Sequence, residues 1–305
     1  MSEMTIIADG LKFPEGPIAM PDGSVILVEI AAGRLTRVTA DGGKEVVAEP
    51  GGGPNGAAIG PDGACYLCNN GGFRWHEKNG LLFPGDLADD YSGGRIERVD
   101  LNTGKTEVLY THVDGEPLKG PNDIVFDRAG GFWFTDLGKG RGRVHDRGGL
   151  YYAKIDGSLI REVVFPIISP NGVGLSPDEK TVFVADTLPG RLWAFDITGE
   201  GEIRRQPGPF PGRFVGSPAG LNFFDSLAVD GDGNVCVATL FNAGITIFSP
   251  DGADIRHVPT DDVMTTNLCF GGDNLSTAFI TLSSSGRLAS TAWERPGLAL
   301  NFLNK

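Results

Sequence analysis

The sequence predicts an all-β protein, a six-bladed β-propeller with four-stranded antiparallel blades. Three observations lead to this fold class: an excess of glycine, a hairpin pattern that recurs along the chain, and the spacing of its copies. The chain has 305 residues, of which 46 are glycine, roughly twice the usual share. That density argues against a helical bundle, and a hydrophobic content of 40% argues against disorder.

The recurring pattern is a polar residue, a short apolar alternation, a turn and a second apolar strand. Turns such as Pro-Asp-Gly at residues 21–23 favour a β-hairpin, because Gly tolerates positive φ and Asp caps the turn locally. Successive copies begin 40 to 67 residues apart, and about 40–50 residues per four-stranded unit is typical of a propeller. The six copies begin at Glu15, Asn55, Asn122, Asn171, Asp225 and Thr266.

The remaining segments complete the predicted ring. Further strands are predicted after Gly33, Gly94, Gly149, Gly190 and Gly244. An insertion around residues 69–91 contains Gly-Gly and Pro-Gly steps and is predicted to be a long loop over one face. Short apolar strands at 4–9 and 298–303 are expected to share one blade and so close the ring. We expect a single domain over 1–305 rather than two sandwich domains, because no linker or composition shift divides the chain.

Charge and hydropathy narrow the function classes. A net charge of −13 disfavours a nucleic-acid partner and an anionic membrane surface. No apolar run approaches the ~18 residues that predict a membrane span, and residues 1–10 are too polar for a signal peptide. We therefore expect a cytoplasmic protein with a small-molecule partner and with no nucleic-acid or membrane partner.

The four cysteines are expected to be buried thiols. Cys65 and Cys68 have C-x-x-C spacing but lie in a predicted strand, where residues three apart face opposite sides. This placement disfavours both a zinc knuckle and a redox pair.

The lead residues of the six copies form a candidate ligand ring. Equivalent positions in six blades surround one axis, so these side chains are expected at one mouth of the central channel. They comprise two carboxylates, three amides and one hydroxyl, and hard oxygen donors suit Ca²⁺, Mg²⁺ or Mn²⁺. A single Asn or Asp before Gly is more often a turn residue, but six at one repeat phase favour a functional ring. In the last copy, Asn267 is an alternative to Thr266.

The motifs around this ring resemble those of the regucalcin–gluconolactonase family of six-bladed propellers, which includes bacterial sugar lactonases. The resemblance covers nearly the whole chain. Two positions depart from the commonest family pattern: Ser226 stands where many sugar lactonases have Gly, and Gly120 stands where several have a basic, sugar-binding residue. The motifs are residues 13–17, 120–123, 134–136, 169–172, 225–230 and 296–298.

The resemblance implies a site as well as a fold. Glu15, Asn171 and Asp225 would be the protein ligands of one divalent metal ion, with calcium expected first and zinc, manganese, magnesium or iron as alternatives. Asn122 would lie beside the metal and hold the substrate or a ligand water. Asn55 and Asp123 would lie nearby.

The predicted function is that of a metal-dependent hydrolase of carbohydrate metabolism, which opens the ester ring of a sugar lactone of the gluconolactone or xylonolactone type to the aldonic acid. Asp225 is the first candidate for the general base and Asp123 the second. Within the insertion, Arg74 and His76 are candidate substrate-binding residues. The alternatives are a calcium-binding regulatory propeller without turnover, a lactonase for non-sugar lactones, and a scaffold propeller, which would not need the oxygen ring.

Overall fold

The structure is a computed structural model that describes residues 4–305, so the first three residues of the polar opening segment lie outside the described residues. Six antiparallel sheets form the blades of a propeller, which confirms the predicted fold class. From the innermost strand outward, blades 1 to 3 comprise Pro14–Ala19, Val25–Glu29, Arg34–Val38 and Lys44–Ala48; Pro54–Ile59, Cys65–Asn69, Arg95–Val99 and Thr106–Tyr110; and Pro121–Phe126, Gly131–Asp136, Gly148–Lys154 and Ile160–Ile167.

The second half of the chain builds the other three blades. Blade 4 carries an additional strand, Arg213–Gly216, on its third strand. In the same order, blades 4 to 6 comprise Pro170–Leu175, Thr181–Asp186, Arg191–Gly199 and Glu202–Arg204; Phe223–Val229, Val235–Leu240, Gly244–Phe248 and Ile255–Pro259; and Thr265–Gly271, Thr277–Leu282, Arg287–Ala292 and Thr5–Ala8.

Smaller elements lie between the blade strands. No helix within residues 4–305 is long and apolar enough to cross a membrane. The small elements are the hairpins Phe73–Lys78 with Leu81–Leu87, His112–Val113 with Glu116–Pro117 and Gly140–Arg141 with Val144–His145, and the 3₁₀ turns Ile30–Ala32 and Asp273–Leu275.

The amino-terminal strand closes the ring as predicted. Thr5–Ala8 pairs with Arg287–Ala292 as the outer strand of blade 6. The strand predicted at 298–303 is wrong: these residues form a coil and a turn in which Phe302 has a φ of 63°. Because the outer edge of blade 6 is already paired, the apolar carboxy-terminal residues pack elsewhere. The Leu298 amide donates to the Val229 carbonyl at the end of an inner strand, so the segment covers one end of the channel.

The insertion is ordered as a hairpin, which corrects the loop predicted there. Phe73 and Trp75 pack on an apolar cluster shared by blades 1 and 2. Arg74 and His76, which alternate with them, are exposed. This alternation with period two is the expected pattern of a strand with one buried face.

The core lies between adjacent blades, one apolar cluster for each pair of neighbours. Cys65 packs in the cluster between blades 1 and 2, and Cys68 packs in the cluster between blades 2 and 3. Both are buried free thiols, as predicted.

Glycine permits the inner strands to approach closely around the axis. Gly16 has a φ of 51°, and a Cβ on it would lie 2.5 Å from the Asn55 carbonyl oxygen. A Cβ on Gly172 would lie 2.6 Å from the Leu227 amide nitrogen. Both glycines directly follow a lead residue, so the missing side chain makes room for the neighbouring inner strand.

Candidate active site

A pairing irregularity recurs at the start of every inner strand. Each lead residue lies within the first three residues of its strand, at the end of the channel that we call the mouth. A β-bulge redirects side chains and interrupts pairing, so this repeated feature gives the six lead residues a similar setting. The shifts occur between residues 15 and 18, 54 and 57, 121 and 124, 170 and 173, 224 and 227, and 265 and 267.

Glu15 is a buried carboxylate, 2% exposed, with only one oxygen satisfied. Its Oε2 accepts hydrogen bonds from the Gly16 amide and, at 2.7 Å, from Asn267 Nδ2. Its Oε1 is buried without a hydrogen-bond partner. A buried carboxylate oxygen without a donor is costly, which makes this atom a candidate ligand for a cation.

Asn122 presents a second such oxygen. Its side chain is buried and its Oδ1 has no hydrogen-bond partner. Buried polar atoms normally have one. Glu15 Oε1 and Asn122 Oδ1 belong to lead residues of different blades. Two other buried atoms of the described residues also have no partner, Asn70 Nδ2 and Thr187 Oγ1, and both directly follow the second strand of a blade.

Asp225 and Asn171 are neighbours on blades 5 and 4. Asn171 lowers the pKa of the Asp225 carboxylate, against the larger effect of burial, and Ser226 Oγ lies 3.5 Å from Asn171 Oδ1. Asp225 is partly exposed, whereas Glu15, Asn55, Asn122, Asn171 and Thr266 are buried. Asp225 is therefore the lead residue with the most open access to the mouth.

Asp123 lies one residue further down the channel. Its Oδ1 accepts from the Ile124 amide at 2.9 Å and its Oδ2 from the Val173 amide at 3.2 Å. The carboxylate is buried and links the inner strands of blades 3 and 4.

The carboxylates at the mouth repel one another. Burial raises the pKa of Glu15 to about 7, against weaker opposing hydrogen bonds. Burial and then the charge of Glu15 raise the pKa of Asp123 to about 8, and the same two causes hold the pKa of Asp225 well above its usual range. A cation would relieve both the desolvation and the repulsion.

These residues fit a divalent metal ion bound by carboxylate and amide oxygens. Within residues 4–305 there is no metal-binding cluster of three or more His, Cys, Asp or Glu side chains. The candidate set instead mixes Glu15 and Asp225 with Asn171, and oxygen donors of this kind suit hard cations. The orphaned Glu15 Oε1 is the observation that favours the fit.

The last copy has two polar side chains near Glu15. Thr266 Oγ1 bonds with Thr281 Oγ1 at 2.9 Å and also with Ser283. Asn267 donates directly to Glu15. Thr266 thus keeps the lead position, and Asn267 occupies the position that Asp123 has in blade 3.

A second polar ring escaped the sequence analysis. The last residue of the second strand in blades 1 to 4 is an acid or an amide. Each accepts a hydrogen bond from at least one backbone N–H that lies two or three positions before the lead residue of its blade. The sequence signal was the polar residue that ends each of these apolar strands. The acceptors are Glu29, Asn69, Asp136 and Asp186, and the amides belong to Lys12, Gly53, Lys119, Gly120 and Ser169.

The remaining predicted residues differ in their surroundings. Asn55 is buried at the start of the blade 2 inner strand. Arg74 is exposed and paired with the exposed Asp89, and His76 lies on the same outer side of the hairpin. The assignment of Asn55, Arg74 and His76 to substrate binding stays a prediction.

Comparison with known proteins decides the family. Residues 13–284 match the family model described as the SMP-30/Gluconolactonase/LRE-like region. The chain belongs to this family. The resemblance inferred from the sequence motifs is therefore confirmed, and the matched residues include all six inner strands and the first two strands of blade 6.

Relatives of this SMP-30/gluconolactonase chain carry lactonase names. Lactonase drp35 of Staphylococcus haemolyticus is 30% identical over 257 residues, which cover 84% of this chain and 71% of the relative. A gluconolactonase of Zymomonas mobilis is 24% identical over 311 residues, which cover 91% of this chain and 78% of the relative.

Solved structures share the fold. A gluconolactonase from Xanthomonas campestris superposes with a TM-score of 0.73 at 23% identity, over 95% of this chain and 89% of the other. The calcium-binding protein regucalcin from Agrobacterium tumefaciens superposes with a TM-score of 0.74 at 18% identity, over 96% and 94%.

Proposed function

We propose that this protein is a metal-dependent hydrolase that opens the ring of a sugar lactone, of the gluconolactone or xylonolactone type, to the aldonic acid. The observation that carries the proposal is the pair of orphaned buried oxygens, on Glu15 and Asn122, at the same mouth as the partly exposed Asp225. The lactonase names of relatives support the reaction class.

Glu15, Asn171 and Asp225 would hold the divalent cation, with calcium expected first. When bound, such a cation polarises a carbonyl and lowers the pKa of a water molecule. The Asn171 side chain, next to Asp225, would help to orient that carboxylate. Gly16 and Asn267 hold Glu15 through Oε2 and leave Oε1 for the cation.

Asp225 is our first candidate for the general base, because it is the one lead residue that is partly exposed at the mouth. Asp123 is only the second candidate, because both of its oxygens already accept hydrogen bonds from backbone N–H groups and are less available to take a proton. Asn122 would place its amide against the lactone, and Asn55 would extend the polar wall on the adjacent blade.

The insertion hairpin would limit water access during the reaction. Trp75 packs against Phe13 with ring centroids 5.0 Å apart, two residues from Glu15. The Leu82 amide donates to the Ser284 carbonyl of blade 6 at 2.8 Å. The hairpin thus lies against the mouth side of blades 1 and 6, where it would shield the reacting ring.

The test is acid release in a pH-stat on gluconolactone, xylonolactone and a panel of non-sugar lactones, corrected for a protein-free blank. We expect turnover of a sugar lactone that a chelator abolishes and added calcium restores. No acid release from any lactone would refute the proposal. Calcium binding without turnover would favour a regulatory propeller instead, and turnover confined to non-sugar lactones would move the substrate class.

A further inference from the structure

Lys139 is a buried lysine that the reaction described above does not use. It lies in the loop between the second and third strands of blade 3, is 1% exposed and ranks among the largest fully buried side chains. Lysine is almost never fully buried unless its amino group is paired, so the groups around Lys139 indicate what it does.

The amino group of Lys139 contacts the two ends of the insertion, residues 70–73 and Tyr91, which we call the insertion root. Lys139 Nζ donates to Asn70 Oδ1 and to the Gly72 carbonyl, each at 2.9 Å. It also lies 3.5 Å from the ring centroid of Phe73 and 5.8 Å from that of Tyr91. Oxygen acceptors and ring faces both attract a cation. Four residues of the insertion root therefore contact the same amino group: Asn70, Gly72, Phe73 and Tyr91.

The same lysine adjoins the backbone that carries Asn122. A Cβ on Gly120 would meet Lys139 Cε at 3.5 Å. The nearby Asp136 carboxylate fixes the Gly120 and Gly138 amides, at 2.7 and 2.8 Å, on either side. Lys139 therefore joins the insertion root to the segment that leads into the blade 3 inner strand.

The hairpin that this root supports spans the mouth. It contacts blade 1 through Trp75 and Phe13, blade 6 through Leu82 and Ser284, and blade 3 through Asp86, whose carboxylate accepts from the Gly142 amide. Its own blade is blade 2. A hairpin that contacts the mouth side of four blades lies where it can cover the space between them.

We propose that Lys139 is a positioning residue that fastens the 73–87 hairpin over the mouth and so sets the affinity for the lactone. The effect on lactone affinity rests on the proposed lactonase function, whereas the fastening of the hairpin does not. Burial lowers the pKa of Lys139 to about 7, against the charge of Asp136. The hydrogen bonds to Asn70 and Gly72 and the ring of Phe73 hold the amino group in place.

The experiment compares wild type with Lys139→Met, which keeps an apolar stem without the charge, and with Phe73→Leu, which removes only the ring. The matched control is Lys154→Met, a partly exposed blade 3 lysine paired with Glu200. Hydrogen–deuterium exchange of amides 73–87 and the KM and kcat for the lactone are measured. For Lys139→Met we expect exchange at least about tenfold faster and KM raised about tenfold, with kcat within about threefold.

Phe73→Leu should shift exchange and KM in the same direction by about threefold, and Lys154→Met should shift neither. Because Phe73 is only half-buried, its variant decides the question if Lys139→Met does not fold. Unchanged exchange in the folded variants overturns the proposal, as does faster exchange with unchanged KM or a loss confined to kcat. If wild type hydrolyses no lactone, the proposed function fails, while the exchange data still decide whether Lys139 holds the hairpin.

Discussion

The two ends of the central channel treat their polar groups differently. At the far end the carboxy-terminal segment satisfies them: Asn301 Nδ2 donates to the Phe126 carbonyl at 3.1 Å and to Glu179 Oε1 at 2.9 Å. At the mouth, Glu15 Oε1 and Asn122 Oδ1 are buried without a partner.

The apolar wall between the two ends accentuates this difference. A cavity of about 110 Å³ lies between the inner strands and the carboxy-terminal segment, lined mainly by aliphatic side chains. Both ends are built from the same repeated strands, so the repeat alone does not explain the orphaned oxygens. Groups that serve only the fold find partners within the chain, whereas groups that serve a ligand are left open to it. The predictions below test that distinction.

The largest effect is expected at the mouth. Asp225→Ala should reduce lactone turnover at least about 1,000-fold, the scale of loss when one member of a catalytic set is removed. The measurement is kcat/KM by pH-stat, with the circular dichroism spectrum as a check on folding. The matched control is Asp254→Ala in the same blade, an exposed carboxylate next to Arg256, which should retain full activity. Full activity of Asp225→Ala would mean that the ring assignment is wrong.

The second prediction concerns metal binding. Calcium at about 100 times its Kd should stabilise the wild-type protein by about 2.7 kcal/mol, measured as a shift in unfolding relative to chelated protein. Glu15→Gln should lose most of this shift, because it removes the charge of the orphaned carboxylate. It should also make the chelated protein more stable than chelated wild type, since the charge of Glu15 raises the pKa values of Asp123 and Asp225. An undiminished calcium shift in Glu15→Gln would contradict the proposed ligand set.

The inner hairpins were predictable from sequence because their turns and alternation are local signals. Pro-Asp-Gly at residues 21–23 forms the turn of the first hairpin, and the polar residue that begins each hairpin marks the end of the inner strand at the mouth. The carboxy-terminal segment was not predictable: 298–303 alternates like a strand, but the edge it would pair with is occupied by Thr5–Ala8. That competition depends on long-range pairing, which no local pattern records.

The site followed the same rule. The lead residues were visible because they repeat, whereas the contacts of Asn267 with Glu15 and of Lys139 with Asn70 join segments far apart in sequence. From the sequence, Asp136 was a member of the 134–136 motif and a third, weaker candidate for the general base, and its role in fixing three backbone amides required the folded chain. That residues 1–305 fold as one domain stays a prediction.

The third prediction addresses the far end. Asn301→Ala should reduce the free energy of unfolding by about 1–2 kcal/mol, because it removes donors to Phe126 and to the buried side of Glu179. Urea denaturation measures this loss. Lactone kcat/KM and the calcium shift should be unchanged, since the segment lies across the channel from the lead residues. A tenfold fall in kcat/KM at unchanged metal binding would show that the two ends are coupled, against the distinction drawn above.

The smallest effect concerns two lysines, one near each end. Lys305 at the far end lies 3.9 Å from the Glu179 carboxylate. Lys139 near the mouth is held by uncharged groups of the insertion, and the nearby negative charge of Asp136 only partly offsets the effect of burial on its pKa. Burial lowers the pKa of Lys139 from 10.5 to about 7. Between these values the unfolded chain binds more protons than the folded one, so the free energy of unfolding rises with pH.

From pH 6.5 to 7.5 this rise should stay below about 1 kcal/mol, because over this range the unfolded chain holds on average about half a proton more than the folded chain. Urea denaturation at the two pH values measures the free energy of unfolding of wild type minus that of Lys139→Met, and this quantity should increase with pH. Lys154→Met should follow wild type. If the quantity stays constant or decreases, the Lys139 site is more hydrated than its burial indicates. The contrast between the ends would then rest on the orphaned oxygens of Glu15 and Asn122 alone.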